Sequence, residues 1–143
     1  MKRYLISTFW ALVTVFFVIV SEFCVPVVKE FFRGSILFLL PFLVFFLLGI
    51  VLIFFTVKEK MTGKLKKFLI LTGASATGFF ISVLLHNFIY GVFIYFFGSD
   101  FWERIGTGDE PFFFFVALFV CPIGFLIGVI GSIVLFINRR NKF

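Results

Sequence analysis

Charge is scarce in this chain, and so are the side chains that do most chemistry. Its 143 residues hold 13 Lys and Arg, seven Asp and Glu, one histidine and two cysteines. Charged residues make up 14% of the chain, against roughly 25% in a soluble domain. A soluble protein of this size leaves much of its surface in water and could not hide an apolar excess. Cys24 and Cys121 are too few and too far apart for a disulfide framework, and no CxxC redox pair exists. Both read as free thiols. One histidine with one possible thiolate falls short of the three or four ligands of a zinc site, so no metal or cofactor is expected. A nucleophilic cysteine needs a neighbour that stabilises its thiolate. Cys121 has only His86 to call on, so no catalytic constellation forms and no enzyme is expected.

What the chain has in abundance is hydrocarbon. It is 62% hydrophobic with 28 Phe, and its mean hydropathy is +1.22. Four apolar runs span residues 4–21, 35–57, 68–97 and 112–137. Each approaches or exceeds the roughly 20 residues a helix needs to cross the hydrocarbon. They are too long, and too little alternating, for barrel strands. Since lipid cannot satisfy open backbone groups, helices follow. The expected fold is all-α: an integral membrane protein with a four-transmembrane-helix bundle in one domain, residues 1–143. The first run reads as an uncleaved helix rather than a signal peptide, since its apolar stretch is long and three spans follow.

The net charge of +6 belongs to the connections. No basic face is interleaved with exposed aromatics, so no nucleic-acid partner is expected. The start "MKR", the connection "KEKMTGKLKK" and the end "NRRNKF" are basic. "EFCVPVVKEFFRG" is balanced, and "GSDFWERIGTGDEP" is acidic. Excess Lys and Arg marks cytoplasmic loops, which predicts cytoplasmic N and C termini and two outward-facing helical hairpins. The setting is the plasma (cytoplasmic) membrane, crossed several times. Lys58, Lys60, Lys64, Lys66 and Lys67 would meet anionic headgroups. Asp100 and Glu103 would cap a short turn that Gly106 ends, with Trp102 at headgroup level. Pro111, preceded by Asp109 and Glu110, suits the first turn of the last helix.

The third run exceeds the hydrocarbon thickness, and tilt or a projection into the cytoplasmic headgroups would absorb the excess. At 100° per residue it places Thr72, Ser75, Ser82, His86 and Tyr90 within about 40° of one line. Phe79 interrupts the stripe, and Asn87 lies a quarter turn aside. Such a face is expected to turn away from lipid, because polar groups facing hydrocarbon are costly unless paired. His86, Asn87, Tyr90, Ser82 and Cys121 form the candidate polar site. In the fourth run Ala117, Cys121, Gly124, Gly128, Gly131 and Ser132 share roughly a third of the circumference. Gly124 and Gly128 make a GxxxG, a pattern that lets helix backbones approach closely. Pro122 is expected to bend this helix.

The first run carries a lesser small face of Ser7, Ala11 and Thr14. The second is nearly all apolar apart from Pro41 and Gly49, and is expected to be the most lipid-exposed. Runs one, three and four are then expected to make the tightest contacts. Counted from the outer ends, His86 would lie about 16 Å deep and Cys121 about 13 Å deep, close enough to meet. The small seam and the polar stripe suggest a non-enzymatic bundle, either a homo-oligomer or an accessory subunit of a membrane-protein partner. A small channel or transporter with His86 and Asn87 lining its pathway is the other reading. Histidine changes charge near neutral pH, which suits proton relay.

Overall fold

The computed structural model describes residues 3–140, with side chains through Asn138. The basic terminal groups expected at Lys2 and Lys142 lie outside the described residues, as do the Arg139 and Arg140 side chains. The described chain is 88% helical without a strand. Four helical stretches are long and apolar enough to cross a membrane: Arg3–Cys24, Ile36–Lys58, Gly63–Phe97 and Pro111–Asn138.

In chain order, α1 is Arg3–Cys24 and α2 the short Pro26–Phe32. A single 3₁₀ turn, Ile36–Leu39, leads into α3, Leu40–Lys58. Then come α4, Gly63–Phe97, and α5, Phe101–Arg104. The last span is α6, Pro111–Phe115, continued by a π-helical segment Val116–Val120 into α7, Cys121–Arg140. Three of these starts have a local cause. Pro26, Pro41 and Pro111 stand in first turns, where proline's missing N–H costs nothing. The π segment precedes Pro122, and the Cys121 N–H reaches back five residues to the Val116 carbonyl. Proline cannot donate a bond and clashes with the carbonyl four residues earlier, so the widened turn gives it room.

Each span runs back along the one before it. From α1, Tyr4 meets Phe55 of α3 and Phe23 meets Phe38 of the 3₁₀ turn that leads into it. Between α3 and α4, Phe42 stacks on Phe79 at 5.8 Å and Phe46 lies tilted against Phe80 at 4.9 Å. One aromatic knot joins α1, α3 and α7: Phe16 stacks on Phe125 at 4.6 Å, and Phe45 lies 5.1 Å from Phe125. Phe9 against Phe136 closes the end near the N-terminus. Nearer the other end α1 and the last span part, and a cavity of about 240 Å³ opens between Phe16, Phe23, Cys24, Leu118 and Cys121.

The second span has the smallest buried share, 22%, in keeping with its apolar sequence, but it is not peripheral. It lies between α1 and α4, and Gly49 is buried against Gly73, Ala76 and Thr77. A lone glycine in an apolar helix lets two backbones meet, and that contact overrides the expected ranking of helix neighbours. A second difference concerns the balanced connection. Helix α1 runs on through it to Cys24 and carries Glu22 into the packed bundle, where it is 1% exposed. The five lysines at 58, 60, 64, 66 and 67 are all exposed, and Lys58 lies over the Phe54 ring.

Candidate functional site

Helix α4 has 35 residues, about 52 Å at 1.5 Å per residue, and overshoots the start of the last span. The connection 98–110 folds back along it. Asp100 precedes α5 without a side-chain capping bond. Trp102 is buried, stacked on Tyr90 at 5.9 Å and 8°, and its indole N–H donates to the Tyr90 carbonyl at 3.3 Å. Arg104 donates to the Phe97 carbonyl at 2.6 Å. Trp102 is therefore tucked against α4.

The fold-back delivers Glu110 to His86. Glu110 is the N-cap of α6: its carboxylate accepts from the Phe112 N–H at 2.8 Å and the Phe113 N–H at 3.0 Å. Its own N–H donates to Asp109 at 2.7 Å. His86 Nδ1 lies 3.1 Å from the Glu110 carbonyl oxygen and 3.2 Å from its Oε2. Both are acceptors, so a proton on Nδ1 is what they can bind. The Asp109 carboxylate stands 3.6 Å from Nε2. Phe114 covers the ring at 5.6 Å.

His86 is eleven residues from the end of α4, yet level with the cap of the last span. The overshoot of α4 beyond the start of the last span accounts for those eleven residues. The carboxylates beside the imidazole come from a connection 23 and 24 positions away, which periodicity along one helix does not reveal. Proline at 111 and an acidic residue before it were the only signals of that cap.

The other candidate side chains divide into two groups. Tyr90 sits beside His86, with ring centroids 6.5 Å apart. Asn87 is exposed and its amide donates to the Val83 carbonyl one turn back at 2.8 Å. With His86 it lines a cleft of about 350 Å³ between α3, α4 and the last span. Ser82 and Cys121 are both buried. Cys121 faces Gly78, where a Cβ would lie 3.5 Å from its sulfur. The thiol thus lies at least one turn from His86, and the two do not form one site. Among the described residues Cys24 and Cys121 are unpaired, and no group of three His, Cys, Asp or Glu side chains is placed to hold a metal ion.

The small-residue face of the last span is filled from within the chain. A Cβ on Gly124 would lie 2.6 Å from Ser75 Oγ, and one on Gly128 would lie 2.8 Å from the Thr72 backbone nitrogen. Gly131 abuts the Phe68 ring, while Ala117 and Ser132 are buried. Thr72 returns its hydroxyl to the Phe68 carbonyl at 2.8 Å. No family model matches the chain, and no curated protein or solved structure matches it.

Proposed function

We propose that this chain is a non-enzymatic subunit of the plasma membrane, a compact bundle that works through association with a second copy or another membrane protein. The observation that carries this reading is the engagement of His86 by the Glu110 carbonyl and carboxylate. The one histidine fastens the last span to α4, a use that needs no substrate. The seam of Gly124, Gly128 and Gly131 is likewise occupied by α4. Association therefore falls to the apolar outer faces, such as Ile123, Ile127, Ile130 and Val134 of α7.

The charge bias supports the orientation. Both termini and the lysines at 58, 60, 64, 66 and 67 face the cytoplasm and anionic headgroups, and residues 25–35 and 98–110 face outward. The alternative, a small channel or transporter, draws on the cleft shared by His86 and Asn87.

Flux assays separate the two. His86→Ala in proteoliposomes is expected to lower stability and leave proton and ion leak at the wild-type level, while native mass spectrometry of membrane extracts reports a defined assembly. Loss of a wild-type flux in a folded His86→Ala protein would transfer the function to the cleft.

A further inference from the structure

We infer that the connection between the first two spans binds a phospholipid headgroup that carries a primary ammonium and a phosphate, that is, phosphoethanolamine. Glu22 lies in the last turn of α1, is 1% exposed, and neither of its carboxylate oxygens has a hydrogen-bond partner among the described residues. A carboxylate withdrawn from water without a partner is costly, so this position calls for a donor from outside the chain.

Glu22 lines a pocket of about 660 Å³ walled by α2 and the turn that follows it. Lys29 and Arg33 line the same pocket. Arg33 is paired with Glu30 at 3.1 Å, whereas Lys29 is exposed and pairs with no carboxylate among the described residues. One pocket therefore holds an anion and a cation that do not meet each other. A ligand bearing the opposite charges a few bonds apart completes both.

Position selects the lipid. The pocket sits where the first membrane span ends and the second begins, the level at which headgroups lie. Phe23, Phe32 and Phe38 supply apolar walls for the upper acyl chains. Val27 and Phe31 of α2 are exposed, as suits a short helix lying in the interface. An ammonium offers three N–H donors to the Glu22 oxygens, and the phosphate meets Lys29 and Arg33. Phosphocholine has no N–H and leaves the carboxylate unbonded. Phosphoglycerol brings no cation to it.

The test compares purified protein in detergent with added phosphatidylethanolamine, phosphatidylcholine or phosphatidylglycerol, following thermal stabilisation and lipid retained in native mass spectrometry. The wild type is expected to retain phosphatidylethanolamine in preference to both others. Glu22→Gln is expected to weaken that binding about tenfold, the scale of one charge-assisted hydrogen bond. Lys29→Ala, a change at an exposed site, is expected to weaken it without affecting folding. Equal stabilisation of the wild type by phosphatidylethanolamine and phosphatidylcholine would overturn the assignment whatever the variants do. So would unchanged lipid retention in a folded Glu22→Gln protein. If Glu22→Gln does not fold, the headgroup comparison and Lys29→Ala decide.

Discussion

Gly49 on α3 and Gly73 on α4 present bare backbone to each other. A Cβ on Gly73 would lie 2.8 Å from the Gly49 carbonyl oxygen, and one on Gly49 would lie 2.9 Å from that of Gly73. Neither neighbour can swing aside, because both are backbone. Gly49→Ala and Gly73→Ala are each expected to cost about 1–3 kcal/mol, the usual range for overpacking. Gly91→Ala serves as control, since nothing lies within 4 Å of its added methyl. Reversible unfolding in mixed detergent micelles measures all three. Equal stability of Gly73→Ala and Gly91→Ala would contradict the close approach.

The glycines of α7 differ in what opposes them, and that difference ranks them. An added methyl at Gly128 meets the Thr72 nitrogen at 2.8 Å and the Phe68 carbonyl at 3.0 Å. At Gly124 its closest contact is the Ser75 hydroxyl, and at Gly131 the Phe68 ring, both of which rotate. Gly128→Ala is therefore expected to be the most destabilising of the three. The same unfolding assay gives the order, and a smaller loss at Gly128 than at Gly131 would refute it.

Glu110 does two jobs at once, holding His86 and capping α6. Glu110→Ala is expected to cost more than His86→Ala, because it also strips the acceptor from the Phe112 and Phe113 N–H groups, a loss of about 1 kcal/mol for an N-cap. The double variant is expected to lose about 1 kcal/mol less than the sum of the two, since residues in one hydrogen-bond network are not additive. Strict additivity would mean that the imidazole and the cap act independently.

The spans were legible because nothing else accommodates four such runs, and the structure moves their ends by only a few residues: 112–137 becomes Pro111–Asn138. The face of the last span was legible too, since Gly124 and Gly128 stand out among bulky neighbours. Gly73 did not, flanked as it is by Ala74, Ser75 and Ala76. Glu22 was hidden for a different reason. Its place beside Lys29, Glu30 and Arg33 suggested a solvated connection, whereas the helix continues past it to Cys24. The meeting of His86 with Glu110 depends on a fold-back across 24 residues, which no single-helix projection contains.

The widened turn at Val116–Val120 has a consequence for the whole end of the molecule that carries the connection 98–110. An inserted residue in a helix turns everything beyond it by about 100°, so the segment acts as an indexing step between two halves of one shaft. The half below it, from Cys121 on, is keyed to α4 through its glycines. The half above it aims Glu110 at the imidazole. Removing one residue from 116–120 would straighten the helix and keep the lower key engaged, yet rotate the carboxylate out of reach of His86.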